Sequence, residues 1–540
     1  PAVPLLEAIS GRSRLRIVVS KDESGAAHAA DGYAWATGKP GVVVTIGGPG
    51  ATNALTGLAC SAAQGHPVLL ISGEVNSGAL GRRATQDGSD LALDVLAMSR
   101  PVTAMSVAVA SPAKALTAFK EALRRAIHGR RPVHLSLPLD VQTAELASPE
   151  ALDPTDYTAS VPEVCDRAAL ARAAALLRSE ARRALLLGSG ARGSTAEVVA
   201  LAETLGCPVA TTSGGKGTFP EDHPLSVGVF SLGAGPLARA VLCGSLDVLC
   251  AVGTGLGEFA TANYASAFAP RRALIHVDRD PAVFGRNYTC LGVTGDARTV
   301  IGELARALSD AQRPGPDWFD SLRQRYPLVE DSEAAQSRQV PLRPERVVSE
   351  VAKALPEDAC VVADIGTSCL FVAQYLKIRP PQRCYIPMAW SCMGHPLAAS
   401  IGVRFGLKRP TLCVTGDAAF LSKGLELHAA VENGVSRLVW VVLSNRGHAL
   451  VRTGTKLLLG EGHAVEAGDF KELVDVAGIA RSTGAGARVV EFPDELAPAL
   501  VEAFAAGRPW VIDVRVEPDA VPIMTDRIQG LKGTGTSESS

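Results

Sequence analysis

Residues 411–452 contain two apolar runs, each ending in a polar cluster, with one helix-length segment between them. TLCVT runs into Gly416-Asp417, LSKGLELHAAVENG follows, and LVWVVL runs into Ser444-Asn445-Arg446-Gly447. The spacing predicts strand, helix, strand, with both clusters at the carboxyl ends of neighbouring parallel strands, where open α/β sheets bind ligands. Asp417 offers a carboxylate oxygen, Asn445 a side-chain carbonyl and Gly447 a backbone carbonyl. Three hard oxygens, with water and phosphate oxygens completing an octahedron, suit magnesium. After Gly416 and Asp417, the small Ala418 and Ala419 let a diphosphate approach the amides where the next helix begins. Either cluster alone reads as an ordinary turn. The pairing across one βαβ unit points to a metal.

With 540 residues the chain exceeds one core and predicts two to four domains. Apolar residues make up 47% and charged residues 20%, which excludes a disordered chain. Gly (53 residues) and Ala are abundant, and tight packing of helices on sheets is expected from them. A net charge of −2 gives no electrostatic basis for binding nucleic acid or an anionic membrane. Eleven cysteines are scattered without a C-x-x-C pair, so neither a zinc site nor a disulfide framework is expected. No run of eighteen apolar residues and no signal peptide is present, and a soluble cytoplasmic protein is predicted.

In chain order, RLRIVVSKDE predicts a first strand and SGAAHAADGYAWATG a small-residue helix. GVVVTIGGPG, HPVLLISGEV and PVHLSLPLDV predict further strands, the first ending in a Gly-rich turn. Residues 146–165 are polar and Pro-containing and predict a linker; 166–325 repeat the strand–turn alternation; 326–341 predict a second linker. A third alternating region covers 342–525, and the Gly/Ser-rich end, 526–540, predicts a flexible tail. The whole reads as α/β, with doubly wound parallel sheets.

The Gly-Asp, helix, strand, Asn pattern resembles the magnesium–diphosphate motif of thiamine diphosphate (ThDP) enzymes. That motif is a Gly-Asp-Gly separated by a helix and a strand from an Asn-Asn pair. Ala418 stands for its third-position Gly and Ser444 for its first Asn. KDESGAAHAADGYAWATGKPGVVVTIGGPGATNALTG is similar to the pyrimidine-binding domain of the acetolactate synthase group of these enzymes. The resemblance covers nearly the whole chain. It implies a pyrimidine-binding domain over 1–150, a central domain over 166–325 and a diphosphate-binding domain over 342–525. The family usually places a helix and a strand before a Pro-rich turn like the opening PAVPLLEAI, so about one structural unit is expected to be missing there.

The resemblance also assigns roles. It implies that Glu23 hydrogen-bonds a ring nitrogen of the aminopyrimidine, favouring the imino tautomer that removes the thiazolium proton. Gly47-Gly48-Pro49-Gly50 and Asn53 match the turn that lies against the pyrimidine. Gln86 is retained from a family Phe-Gln-Glu segment in which Thr85 and Asp87 replace the other two. His66 falls one residue out of register with an active-site His of some 2-oxo-acid decarboxylases; its other reading is a structural histidine at a strand start. Gly366-Thr367-Ser368 matches a turn whose hydroxyls hold the diphosphate. The Ser391 carbonyl would accept the pyrimidine amino group, and Met393 would prop the cofactor in its bent form. In the central domain GSGARG (188–193) is a loose dinucleotide turn. The flavin-associated segment is replaced by Gly253–Phe259, which counts against FAD without excluding it.

A ThDP- and magnesium-dependent enzyme acting on a pyruvate-like 2-oxo acid is therefore expected, with the acyl carbanion passed to an acceptor. A simple decarboxylase releasing aldehyde is the alternative, and a catalytically silent ThDP-fold partner subunit the rival from another class. Gly454 stands where acetolactate synthases carry a Trp, Thr85 removes a Phe and Ala104 a Lys, which predicts a wider, less basic pocket and a specialised acceptor. The family also implies a homodimer or homotetramer. In it the pyrimidine-binding domain of one subunit faces the diphosphate-binding domain of another.

Overall fold

The computed structural model describes residues 2–11, 14–146, 153, 155–158, 165–179, 181–230, 233–311, 317–460, 463 and 466–523. The first sheet holds β1 (Gly41–Thr45), β2 (Val68–Glu74), β3 (Met105–Ala108) and β4 (Val133–Pro138), in the order β1-β2-β4-β3. The second holds β5 (Arg183–Leu187), β6 (Val209–Thr211), β7 (Ser226–Val229), β8 (Val248–Val252), β9 (Ala273–Asp278) and β10 (Leu291–Thr294). Its order is β10-β9-β8-β5-β6-β7. The third holds β11 (Cys360–Ala363), β12 (Arg383–Tyr385), β13 (Thr411–Gly416), β14 (Leu438–Ser444), β15 (Gly486–Val490) and β16 (Trp510–Arg515). Its order is β12-β11-β13-β14-β16-β15. Every pairing is parallel, and helices connect the strands, as the alternation of apolar runs requires.

Three local expectations are corrected. The run 14–20 forms no strand and joins no sheet; Arg16 instead donates to the Asn433 carbonyl and lies over the Phe405 ring, both on the third sheet's side. The opening stretch, read as a Pro-rich turn, is helix α1 (Val3–Ser10), whose proline sits in the first turn, where no N–H is needed. Strand β3 went unrecognised because MSVA is short and follows a Pro-containing turn. The proposed linker 146–165 lies largely outside the described residues, and the tail 526–540 entirely so.

Gly and Ala serve helix-on-helix packing more than helix-on-sheet packing. Helix α2 (Glu23–Thr37) starts at Asp22, whose carboxylate accepts from Ser24 N, and stops at Gly38 in the left-handed conformation. It crosses the helix His395–Leu407 of the third sheet at backbone contact. A β-carbon added at Gly32 would lie 2.1 Å from the Ala399 carbonyl oxygen, and one at Gly402 would lie 1.8 Å from the Ala29 carbonyl oxygen. On its other side α2 meets α3 (Pro49–Gln64), where a β-carbon at Gly57 would be 2.3 Å from that of Ala27. The first and third sheets are thus joined through glycine contacts. All three regions meet at Trp35 of α2, which stacks on Tyr385 and carries the guanidinium groups of Arg192 and Arg383 at 4.9 and 4.6 Å from its ring. A buried ion pair, Lys216–Glu221 at 2.8 Å, ties the second sheet to the third by donating to the Ala373 carbonyl and accepting from Ile378 N.

In the third sheet β12 lies on one side of β11 and β13 on the other, so the strand order reverses between them. The crevice at the carboxyl ends of β11 and β13 is the switch point of this sheet. Residues Asp364–Thr367 follow β11, Gly416 ends β13, and Ser444 ends β14 one strand further on. The register pairs Gly416 with Leu443, which sets the two polar clusters side by side.

Candidate cofactor and catalytic site

At the carboxyl end of β13 the Asp417 carboxylate is almost fully buried. Its Oδ2 accepts from Arg446 N at 2.7 Å and its Oδ1 from Ala418 N at 2.9 Å, so the Ala418 amide faces the carboxylate. Burial raises its pKa, and the amides oppose that rise. One atom of the Asn445 side-chain amide lies 2.9 Å from the Gly447 carbonyl oxygen and 3.2 Å from Asp417 Oδ1. As nitrogen it would donate to both. As oxygen it completes three oxygens facing one another at about the edge length of an octahedron with 2.1 Å metal–oxygen bonds. The Asn445 backbone carbonyl is held separately by Arg452 Nη2 at 3.0 Å, leaving the side chain to the cluster. Gly447 has φ 148, and a β-carbon there would lie 2.3 Å from the Gly468 carbonyl oxygen, so only glycine makes this turn. Ser444, in place of the family's Asn, donates to Asp513 Oδ1 at 2.5 Å and takes no part in the cluster.

Beside the cluster, Gly366 (φ 134) and Gly416 have no atom within 4 Å of where a β-carbon would stand, which leaves an open cradle between them. Thr367 is buried at the start of helix Thr367–Tyr375, whereas the Ser368 hydroxyl donates back to the Asp364 carbonyl at 2.8 Å and is spent. Ser391 holds φ 54 with its hydroxyl donating to the Met388 carbonyl at 2.6 Å. Met393 is 37% exposed, so it is not a core side chain. These residues fit a divalent cation and a diphosphate.

The second half lies at the carboxyl edge of the first sheet. Glu23 opens α2, and its Oε2 accepts from Asn53 Nδ2 at 3.1 Å. The Gly47–Gly50 turn follows β1; a β-carbon at Gly50 would be 3.4 Å from Glu23 Oε1, and one at Gly48 would be 3.2 Å from the Gln86 Cα. Pro49 is the first residue of α3. Glu23, Pro49, Asn53 and Gln86 are therefore brought together. The backbone before Glu23 is docked on the third sheet's helices. Lys21 N and Asp22 N donate to Glu426 Oε1 at 3.0 and 2.9 Å, and Lys423 pairs with Asp22 and Ser24. Lys423 ends the helix Asp417–Lys423 that begins at the oxygen cluster.

Other expected positions lie elsewhere. His66 precedes β2, at the edge of the sheet opposite Gly47, and its Nδ1 is 2.8 Å from Asp31 Oδ1 in a buried network with His395 and Tyr385. The two imidazoles hold the Asp31 carboxyl well below the usual range against the effect of burial. His66 is thus placed as a structural histidine. Ala104 precedes β3 on that same far edge and does not line the Glu23 pocket. Asp87 accepts from Gly81 N and Ser89 N, organising its own loop, and Thr85 is exposed. Gly454 lies in helix Ala449–Leu459 with open space at its β-carbon position. The first two glycines of GSGARG have a packing reason: β-carbons at Gly188 and Gly190 would meet Gly253 backbone atoms at 2.2 and 2.8 Å. A cleft of about 350 Å³ lies between Thr212–Gly214, Gly257–Ala260 and Met388–Ala389, and no basic residue lines it.

Three supporting residues were not singled out from the sequence. Asp364 is fully buried; Oδ1 accepts from Gly394 N (3.0 Å) and Ile365 N (2.7 Å), and Oδ2 from the Thr415 hydroxyl (2.7 Å). It ties the Met393 turn to the strand carrying Asp417. Glu74, at the end of β2, accepts from Val75 N and Gly88 N and so holds the Gln86 loop. Arg452 holds the Asn445 loop. Asp364 and Glu74 each end an apolar run, and that signal could have found them.

The sequence matches three family profiles in order. These are the N-terminal TPP binding domain of thiamine pyrophosphate enzymes over 1–94, their central domain over 170–304 and their C-terminal TPP binding domain over 364–514. A probable acetolactate synthase large subunit of Methanocaldococcus jannaschii is 30% identical over 94% of this chain and 86% of its own length. The chain belongs to the thiamine pyrophosphate enzymes. A putative acetolactate synthase large subunit of Mycobacterium tuberculosis is 32% identical, covering 95% of this chain and 93% of that one. The acetolactate synthase large subunit of Corynebacterium glutamicum is 30% identical over 96% and 83%. Within this thiamine pyrophosphate enzyme the residues of the two clusters above fall in the two TPP-binding matches. Among the described residues no helix is long and apolar enough to cross a membrane.

Proposed function

We propose that this enzyme uses thiamine diphosphate and magnesium to decarboxylate a 2-oxo acid and to join the acyl fragment to an acceptor. The observation that carries the reading is the oxygen cluster of Asp417, Asn445 and Gly447 beside the open cradle at Gly366 and Gly416, at the switch point of the third sheet. Thiamine diphosphate, when bound, supplies a thiazolium carbon that adds to the ketone and accepts the electron pair left by carbon dioxide. Asp417, Asn445 and Gly447 would hold the magnesium, and Gly366, Thr367, Gly416 and Ala419 the diphosphate, while the Ala418 amide stays on the Asp417 carboxylate. Glu23, oriented by Asn53, would hold a proton at the pyrimidine ring nitrogen. The Ser391 carbonyl would take up the amino group, Pro49 would lie against the ring, Met393 would set its angle, and Gln86 would face the substrate. The reading does not use FAD.

The relatives named acetolactate synthases support carboligation. Open space at Gly454 supports an acceptor larger than a second pyruvate. Glu23 is only half-buried, Asn53 is exposed, and Trp390, Met393, Ile46, Leu421 and Leu425 leave apolar surface near both clusters. Such chemistry excludes water, so a second copy of the chain would cover the site, as homodimer or homotetramer. The test supplies ThDP, magnesium and a panel of 2-oxo acids and acceptors, with carbon dioxide measured and products identified by mass spectrometry. A carbon–carbon-linked product is expected. Aldehyde alone would replace the carboligase by a simple decarboxylase. ThDP binding without carbon dioxide from any substrate would leave a silent partner subunit.

A further inference from the structure

One residue before Met393, Cys392 points away from the cofactor cradle into the junction of α2 and α3. Its Sγ, the Sγ of Cys60 on α3 and a ring nitrogen of His28 on α2 lie within 4.8 Å of one another. His28 Nε2 is 3.9 Å from Cys60 Sγ. His28 and Cys60 are each 1% exposed, whereas Cys392 is part-exposed. Three side chains from three separate segments thus form one cluster across the contact between the first and third sheets. None of them serves the proposed cofactor chemistry.

Two uses suit such a trio: a soft metal ion, or thiol oxidation. A metal-bound imidazole donates its second N–H to a carboxylate, carbonyl or water, and His28 Nδ1 is buried without a hydrogen-bond partner. The cluster lacks the support a metal needs. It has what thiol exchange needs: a reachable sulfur backed by a buried one. The Cys60 thiol and then His28 donate to the Cys392 sulfur and lower its pKa, which favours the thiolate. That same hydrogen bond, with burial, raises the Cys60 pKa and keeps it a thiol. Burial likewise raises the pKa of Cys207, Cys250, Cys360, Cys369, Cys384 and Cys413.

We propose that Cys392 and Cys60 are a thiol pair that a low-molecular-weight disulfide oxidises to a bond joining the first and third sheets beside the Met393 turn. The Cys392 thiolate attacks one sulfur of the small disulfide; a mixed disulfide forms and one small thiolate leaves. Cys60 then attacks the Cys392 sulfur and gives up its proton. The second small thiolate leaves and takes that proton. The two protein sulfurs are oxidised, and one small disulfide is reduced to one thiolate and one thiol.

The inference rests on the cluster alone and stands apart from the proposed activity. The full chain, reduced and desalted, is exposed to oxidised glutathione with and without a chelator, and peptides are followed by mass spectrometry. Cys392 is expected to react at least ~10-fold faster than the part-exposed Cys165, Cys243 and Cys290, and a peptide linked through Cys60 and Cys392 follows. Cys60→Ser should stop at the Cys392–glutathione adduct, and Cys392→Ser should leave Cys60 unmodified. Three results overturn the proposal. One is Cys392 reacting no faster than those three; another is an adduct on wild-type Cys392 that never resolves onto Cys60. The third is a pair that reacts only once a chelator has removed a bound metal. The wild-type chain decides each of these, so a variant that fails to fold does not shield the idea.

Discussion

Glu23 presents its carboxylate from the first residue of α2, where Asn53 fixes its orientation and the Asp22–Lys423 pair fixes its backbone. Replacing it by Gln keeps the shape and removes the acid. Glu23→Gln is expected to retain ThDP binding by titration calorimetry while turnover falls at least ~100-fold, the scale of losing acid–base assistance; turnover within tenfold of wild type would remove Glu23 from the mechanism. Asp417→Ala is expected to keep the fold by circular dichroism and to lose the magnesium-dependent part of ThDP affinity. Unchanged affinity in that variant would reject the oxygen cluster as the metal site. Asp417, Asn445 and Gly447 were legible because polar residues closing apolar runs stand at strand ends whatever the rest of the chain does. Asp364 was not. Its importance comes from Gly394 and Thr415, partners distant in sequence that only the folded sheet brings to it.

At the scale of elements, burial pushes the Asp364 pKa up to about 6. Between the unfolded value near 4 and that value, the folded chain keeps a proton that the unfolded chain has released. Stability from this group therefore falls as pH rises through the window and levels off above it. Asp364→Asn keeps an acceptor for Ile365 and Gly394. It should remove a slope worth about 2–3 kcal/mol between pH 4 and 6, read from urea unfolding midpoints of variant and wild type; identical pH profiles would refute the shift. The crossing of α2 with the helix His395–Leu407 gives another test. Gly402→Ala puts a methyl group into the Ala29 carbonyl and should cost about 1–3 kcal/mol or more, seen as a lower melting temperature, while an unchanged value would mean the helices can separate without loss. Helix α2 itself was legible from its run of small residues, SGAAHAADGYAWATG. The 14–20 run was misjudged because its apolar pattern suits a strand, yet Arg16 has its partners on another sheet.

For the molecule as a whole, three parallel sheets were readable from the repeated apolar runs, but which sheets touch was not, since contact depends on which glycines face each other. The half-exposed Glu23 and the uncovered Met393 turn predict a site completed by a second copy. Mixing Glu23→Gln with Asp417→Ala chains under subunit exchange should then restore part of the activity, because one site in each hybrid carries neither change. Proven hybrids with no activity above their parents would place both halves of the site in one chain. The Gly32–Ala399 and Gly402–Ala29 contacts have a mechanical consequence. Atoms already at backbone contact leave no soft layer for shear, and the two sheets swing as one lever. Entry of a cofactor as long as thiamine diphosphate then cannot come from prising them apart. It has to come from the exposed side of the cradle, past Trp390 and Met393.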